Sequence, residues 1–144
     1  MKLSSKSRYA VTAVYHLTKQ YYDEPESVCN IKEIAEEEHV PFKFLELILQ
    51  SLKNAGIVES RRGVNGGYVL TTDPATLTVG RVIRLVEGDI LPFECIDGQP
   101  CIKQDECGIR DLWLDLRKAV NGVLDNRTFA DLIVHVDDSQ GGYI

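Results

Sequence analysis

Three of the four cysteines in this 144-residue chain lie on one short segment at equal spacing. Cys95, Cys101 and Cys107 are six residues apart, in a stretch interrupted by glycine and proline. Thiolates are soft ligands that favour iron–sulfur clusters, zinc or Cu(I), so this spacing indicates a metal centre. Zinc sites usually begin with two cysteines roughly two to four residues apart, and the chain has no such pair. Zinc and a metal-free thiol switch stay open as weaker alternatives.

The other candidate ligands and catalytic groups have simpler interpretations. Cys29 precedes a predicted helix and follows an apolar residue, which is typical of a half-buried small side chain. His16 is interpreted as a helix-face residue, His39 as a solvated connector and His135 as a surface residue, and none stands beside a cysteine as a catalytic pair would. The glutamates of residues 36–38 are interpreted as a solvated helix end. No substrate motif is present, so we do not expect an enzyme.

Length and composition set the class of protein. With 44% hydrophobic residues, the chain is long enough to bury a core without disulfides. No run approaches the roughly 20 apolar residues of a membrane span, and the first residues lack the apolar stretch of a secretion signal. We therefore expect a cytoplasmic protein with no membrane partner. In a reducing compartment, closely spaced cysteines bind metal or react with oxidants more often than they form disulfides.

The net charge of -6 conceals a difference between the two halves of the chain. Residues 1–72 carry nine basic and nine acidic side chains, whereas residues 73–144 carry seven and thirteen. Within the first nineteen residues, four basic side chains stand without any acid, and Arg61 and Arg62 form a second basic point. Local patches of this kind set the affinity for phosphate, so nucleic acid stays a candidate partner.

Periodicity in the first half predicts three helices. Apolar residues recur at three- and four-residue steps between about Lys6 and Tyr22. Asn30 and Glu33 have the form of a capping box at the start of a short second helix. Pro41 suits the first turn of a third helix, and Gly56 suits its end. The predicted buried stripe of the third helix is Phe44, Leu45, Ile48, Leu49 and Leu52.

A hairpin and further helices are predicted after Gly56. Residues 57–60 and 68–70 are predicted as strands on either side of a glycine-rich loop, which is the arrangement of a wing after a helix-turn-helix. Thr78 is predicted to open a helix that stops at Gly88. Residues 109–124 are predicted as a long helix with an apolar stripe that needs a partner, and a short segment from Thr128 is predicted to pack back.

This arrangement is one that DNA-binding proteins use. A helix enters the major groove, and a hairpin places an arginine in the adjacent minor groove. The solvent-facing candidates are Lys43, Glu46, Gln50 and Lys53 on the third helix and Arg61, Arg62 and Asn65 on the wing. The alternative is that these helices only pack within a small domain, or bind another protein.

Four stretches together resemble the IscR/NsrR-type family of winged-helix iron–sulfur transcriptional regulators, and IscR in particular. They are residues 5–11 (SKSRYAV), residues 45–46 (LE), residues 62–70 (RGVNGGYVL) and the three cysteines at C-x5-C-x5-C spacing. The resemblance covers nearly the whole chain in order. It implies a homodimer that binds a palindromic operator in double-stranded DNA under the control of a cluster, with [2Fe–2S] favoured over [4Fe–4S].

The resemblance also implies roles for particular residues. Cys95, Cys101 and Cys107 become the cluster ligands, and the expected function is repression of iron–sulfur cluster biogenesis genes. A nitric oxide or redox sensor, or a cluster-free regulator of cysteine metabolism, is the alternative within the family. The candidate DNA-binding residues are Ser5, Lys6, Lys43, Phe44, Glu46, Arg61, Arg62, Gly63 and Asn65.

The chain departs from the family pattern at three positions. Arg110 stands where IscR-like members have a histidine ligand, and Arg8 stands where NsrR-like members have an acid, so the fourth ligand is open. Leu47 replaces a glutamine, so we expect an operator different from the IscR type. The remaining candidates for the fourth ligand are Glu94, Asp97, Asp105, Glu106 and His16.

The predicted fold class is therefore mainly α, a winged helix-turn-helix with a two-stranded wing and a long C-terminal dimerisation helix. Residues 1–76 are the predicted DNA-binding region, residues 77–108 the linking helix and cysteine loop, and residues 109–144 the dimerisation segment.

Overall fold

The computed structural model describes residues 3–91 and 108–138. All three loop cysteines lie outside these residues, as do Glu94, Asp97, Asp105 and Glu106. The described part contains six helices and one antiparallel pair of strands, which confirms the predicted fold class. In chain order the elements are α1 (Ser5–Asp23), α2 (Ile31–Glu38), α3 (Phe42–Asn54), β1 (Val58–Arg61), β2 (Gly67–Leu70), α4 (Val79–Glu87), α5 (Gly108–Asp125) and α6 (Phe129–Asp138).

The helix starts follow from local capping. The Asn30 side chain accepts a hydrogen bond from the Lys32 N–H, and the Thr78 side chain accepts one from the Arg81 N–H, as their residue types predict. Pro41 lies one residue earlier than predicted, at the N-cap of α3, where it makes no side-chain hydrogen bond. The Asn30 cap fixes where α2 begins, and the Thr78 cap fixes where α4 begins.

The end of α3 is set by Gly56, as predicted. Its φ of 77° lies in the left-handed region, which glycine enters without steric cost. The Gly56 N–H donates to the Lys53 carbonyl at 3.0 Å, and the Ile57 N–H donates to the Leu52 carbonyl at 3.0 Å. This pair of bonds is the Schellman motif, and it turns the chain directly into the wing.

The wing is a short hairpin that is anchored to the segment before α2. Val58 pairs with Leu70 at its base, and Arg61 pairs with Gly67 near its tip. The Cys29 and Tyr68 backbones exchange two hydrogen bonds of 2.8 Å. A side chain at Gly67 would place its Cβ 2.3 Å from the Cys29 carbonyl oxygen, so only glycine permits this approach.

One hydrophobic core joins α1, α3, α4 and the wing. Leu17, Leu45 and Leu49 are fully buried in it. Phe129, the first residue of α6, is also fully buried in this core. The Thr128 side chain accepts from the Asp131 N–H at 3.2 Å, and the Asp131 carboxylate accepts from the Thr128 N–H at 3.0 Å. This reciprocal cap returns the C-terminal segment to the core, as predicted.

Helix α5 is held differently. It contains no buried residue, although its apolar residues follow helical spacing. It contacts α4 through Arg84, whose guanidinium donates to Asp125 at 2.5 and 3.0 Å and to Asn121 at 2.8 Å. A helix of 18 residues lies at the position predicted for the long C-terminal helix, and its role in dimerisation stays a prediction.

No helix in the described ranges has the length and apolar character needed to cross a lipid bilayer.

Candidate nucleic-acid interface

Helix α3 divides sharply into two faces. Leu45, Ile48, Leu49 and Leu52 are fully buried against the core. The opposite face carries the predicted recognition residues Lys43, Glu46, Gln50 and Lys53, and all four are exposed. Because a packed inner face fixes the rotation of the helix, the outer side chains point into solvent in a fixed order.

The prediction that Phe44 belongs to the buried stripe is wrong. Its side chain is 45% exposed, and its ring lies 5.7 Å from the ring of Tyr9 on α1. Helical spacing alone allowed Phe44 to be buried, but α1 covers only its edge. Phe44 therefore lies at the boundary of the exposed face, where it connects the starts of α1 and α3.

The wing presents two arginines in different electrostatic states. Arg61 Nη1 lies 2.6 Å from Glu59 Oε2, so an acid partly neutralises its charge. Arg62 is exposed and forms no salt bridge within the described part of the chain. Gly63 has a φ of 119°, and a Cβ on Gly66 would lie 2.3 Å from the Arg61 carbonyl oxygen, so the tip depends on both glycines. Asn65 is exposed beside them.

The start of α1 is the third part of the candidate interface, after α3 and the wing. Ser5 accepts a hydrogen bond from Arg8 Nη2 at 3.2 Å, and Lys6 is half-buried. Ser4 caps the helix by accepting from the Ser7 N–H at 3.2 Å. Hydrogen bonds from Ser4, together with the positive charge of Lys6, hold the pKa of the Glu87 carboxyl below its ordinary value. The last residue of α4 is thus tied to the start of α1.

Contacts bring the predicted binding residues to one side of the molecule. The Tyr9–Phe44 ring contact places the first turns of α1 beside those of α3. Phe42 at the start of α3 and Arg61 on the wing line the same open cleft of about 290 Å³. The exposed residues of α3 therefore lie between the start of α1 and the wing, which is the layout that a DNA duplex requires.

A buried polar cluster connects α1 to α2, which sequence reasoning did not anticipate. His16 is only 9% exposed, and its Nδ1 lies 2.9 Å from Glu38 Oε1. Burial alone would raise the pKa of the Glu38 carboxyl, but hydrogen bonds from His16 and Lys19 lower it overall. His16 lies on a face of α1, as interpreted, but that face is buried. The interpretation of residues 36–38 as a solvated helix end holds for Glu36 and Glu37, which are exposed, and is wrong for Glu38. His16 and Glu38 stand 22 positions apart, so no local pattern reveals the pair.

Cys29 is a neutral structural thiol, in agreement with its predicted role. It is 2% exposed beneath β2. Burial raises its pKa to about 11, and the carboxylates of Glu33, Glu37 and Glu24 contribute. A thiol with this pKa stays protonated near neutral pH, which makes it a poor metal ligand and a slow nucleophile.

The predicted metal centre falls outside the described residues. Within those residues, no group of three or more histidine, cysteine, aspartate or glutamate side chains could hold a metal ion. Arg110, three positions after Cys107, is half-buried near the start of α5, and its Nε has no hydrogen-bond partner in the described structure. A guanidinium donates hydrogen bonds and does not coordinate metal.

The Glu59–Arg61 pair was missed from the sequence. It could have been found, because residues two apart on a strand share a face. Leu47 is 62% exposed on the outer face of α3, in agreement with its expected place on the recognition helix.

Comparisons with known proteins agree with this layout. The sequence model of the Rrf2 family, described as an iron-dependent transcriptional regulator, matches residues 3–135. The chain is 38% identical to the HTH-type transcriptional regulator CymR of Bacillus subtilis, over 100% of this chain and 98% of the relative. It is 34% identical to the HTH-type transcriptional regulator IscR of Serratia proteamaculans, over 95% of this chain and 82% of the relative. The solved structure of T. potens IscR superposes with a TM-score of 0.79 at 30% identity, covering 100% of this chain and 94% of the other.

Proposed function

Because the chain belongs to the Rrf2 family of transcriptional regulators, we propose that it is a homodimeric repressor whose operator binding is controlled by an iron–sulfur cluster. Cys95, Cys101 and Cys107 hold the cluster, [2Fe–2S] in preference to [4Fe–4S], and the regulated genes serve iron–sulfur cluster biogenesis. The matched relatives are transcriptional regulators, which confirms the prediction that the chain is not an enzyme.

One observation carries the DNA-binding part of this proposal. Helix α3 has a fully buried inner face and an exposed outer face, and Arg61 on the wing lines the same cleft as Phe42 at the start of the helix. In this arrangement Lys43 and Glu46 face base edges in the major groove, while Arg62 is available for the minor groove. Ser5, Lys6, Arg61, Gly63 and Asn65 contact the flanking sugar-phosphate backbone.

The dimer is proposed from the exposure of α5. Ile109 is 60% exposed, Leu112 57% and Val123 58%, and they recur at helical spacing on one side. A stable α-helix in water needs to bury such a stripe. A second copy of the same helix completes it with two-fold symmetry, and the two α3 helices then read the two halves of a palindromic operator.

The chemistry of the donor set supports the cluster. Three thiolates on one short segment are typical ligands of iron–sulfur clusters, and a bound cluster supplies reversible electron transfer and sensitivity to oxidants. Arg110 occupies the position where the resemblance leads one to expect a histidine as fourth ligand, but a guanidinium cannot coordinate the cluster.

The described residues offer a route from the cysteine segment to the DNA-binding face. That segment joins α4 to α5. Arg84 fixes the far end of α5 to α4 through Asp125, and the near end begins directly after Cys107. Glu87, at the end of α4, accepts hydrogen bonds from Ser4 at the start of α1. A constraint on the segment therefore acts on both the dimer helix and the first turn of α1.

The test compares operator binding of the apo and cluster-loaded protein under anaerobic conditions. We expect the loaded protein to bind with at least tenfold different affinity, and we expect Cys101→Ala protein to be colourless and to behave like the apo form. Equal affinities of both forms for every DNA sequence would refute cluster control while leaving DNA binding intact.

A cluster-free regulator of cysteine metabolism is the second candidate. The observation that favours it is the 37% identity and TM-score of 0.80 with the solved structure of CymR (YrzC), the global cysteine regulator of B. subtilis. Absorption between 300 and 500 nm, with iron and acid-labile sulfide assays on anaerobically purified protein, separates the two candidates. Protein that contains neither iron nor acid-labile sulfide, and that cannot be loaded with them, would support the cluster-free regulator.

A further inference from the structure

The outer face of α3 carries large apolar side chains that the core does not use. Phe42 is 41% exposed, Phe44 45% and Leu47 62%. A single exposed leucine is ordinary on a protein surface. Helical spacing places Leu47 within the face proposed to meet DNA and the two phenylalanines at its edges, so Leu47 is the residue that calls for a ligand with apolar surface.

Leu47 differs from the other two in its surroundings. Phe44 has the Tyr9 ring beside it, and Phe42 lines the cleft beneath the wing. Leu47 is the most exposed of the three, and its two successors in the chain, Ile48 and Leu49, are fully buried. Its direction is therefore fixed by the packing of the helix behind it.

Leu47 also lies within a polar row. Lys43 is one turn before it and Gln50 almost one turn after it, and both are exposed. The Gln50 amide donates to Asn54 Oδ1 at 3.1 Å, so its orientation is set within the helix. The Ser51 hydroxyl donates to the Leu47 carbonyl at 3.1 Å. A row of exposed polar side chains with one apolar residue in its middle matches a base-edge surface better than an apolar protein–protein interface.

The apolar feature that the major groove offers is the C5-methyl group of thymine. Leucine has no hydrogen-bonding group, so it distinguishes bases only by burying such a methyl. We propose that Leu47 is a specificity-determining residue that reads the methyl group of one thymine in each operator half-site. This inference rests on the proposed function, because it requires α3 to lie in the major groove.

The experiment begins with a duplex selected from a random DNA library by the full-length protein. Each thymine of the selected half-site is then replaced in turn by deoxyuridine, which removes only the methyl group. Burial of one methyl corresponds to about a fourfold change in affinity. We expect a loss of this size at one thymine position per half-site, and smaller changes at the others.

Three variants assign the effect to Leu47. Leu47→Ala should weaken binding to the thymine duplex and abolish the difference between thymine and deoxyuridine at that position. Leu47→Met, which keeps an apolar side chain of similar reach, should retain the difference. Leu85→Ala removes a 38% exposed leucine from α4 and should change neither value.

The outcomes separate this inference from the proposed function. If the deoxyuridine effect persists in Leu47→Ala, or if the selected half-site contains no thymine with such an effect, the inference is overturned. Lys43→Ala serves as the check on α3 itself. If Lys43→Ala weakens binding while the methyl effect is absent, only the role of Leu47 fails. If neither Lys43→Ala nor Leu47→Ala alters binding, α3 does not enter the groove and the proposed DNA-binding face fails as well.

Discussion

The winged-helix region and helix α5 use the same kinds of apolar residue in opposite ways. In the first region, Leu17, Leu45 and Leu49 are fully buried within one chain. In α5, Leu112 and Val123 are more than half exposed, and no residue is buried. The winged helix therefore has the contacts of a complete core, whereas α5 leaves an apolar stripe exposed. Apolar spacing in a sequence predicts a face that must be covered, but it does not tell whether the same chain supplies the cover.

The largest expected effect tests the winged-helix core. Leu49→Ala removes a fully buried side chain from the core, so it should lower the free energy of unfolding by about 2–5 kcal/mol. Chemical denaturation at a fixed protein concentration measures the change. Leu85→Ala removes the same atoms from a 38% exposed site and should cost under about 1 kcal/mol. Similar losses for both variants would contradict the assignment of the core.

The second prediction tests the exposed apolar stripe of α5. Leu112→Asp places a charge on the apolar stripe of α5, so it should convert the dimer to a monomer and weaken operator binding by about 100-fold, because two half-sites no longer bind together. Sedimentation measures the association state. Lys118→Glu is the matched control, because helical spacing places Lys118 on the opposite side of α5. A Leu112→Asp protein that remains dimeric would show that α5 does not form the interface.

Local signals were sufficient for most of the fold. Asn30, Gly56 and Thr78 act through groups within a few residues, so their caps and turns could be predicted from the sequence. The burial of His16 against Glu38 and the exposure of Phe44 could not, since both depend on how α1 crosses α2 and α3. The candidate site follows the same division. Its elements were predicted. The pairing of Arg61 with Glu59, which the alternation of a strand could have revealed, distinguishes two arginines that form one basic point in the sequence.

That distinction gives the third prediction, which sharpens the account of the winged-helix surface. Arg62→Ala should weaken operator binding by about tenfold and reduce preference for an A·T-rich flank, since Arg62 has no acidic partner within the described residues. Arg61→Ala should cost about two- to threefold, because Glu59 already neutralises part of its charge. Affinity measured at several salt concentrations should show a shallower slope for Arg62→Ala than for wild type. Equal effects of the two variants would remove the electrostatic difference between them.

The smallest expected effect concerns the cysteine that belongs to the winged-helix core. The pKa of Cys29 rises from 9.0 to about 11 on folding, chiefly because the thiol is buried. Between these values the folded state holds a proton that the unfolded state has lost. The contribution to stability is therefore complete below pH 9 and disappears as the pH rises toward 11, at no more than about 1.4 kcal/mol per pH unit.

Comparison of wild type with Cys29→Ala isolates this contribution from the lysines and tyrosines that titrate in the same range. We expect the difference in unfolding free energy between the two proteins to shrink by about 1 kcal/mol between pH 8.5 and pH 10. Alkylation at pH 8 followed by peptide mass spectrometry provides a second measurement, in which Cys29 should react only after unfolding. If Cys29 reacts as fast in the native protein as in denaturant, the strand pairing with Tyr68 does not protect it. The winged-helix core would then be more accessible to solvent than its contacts indicate, and its difference from the exposed helix α5 would be smaller.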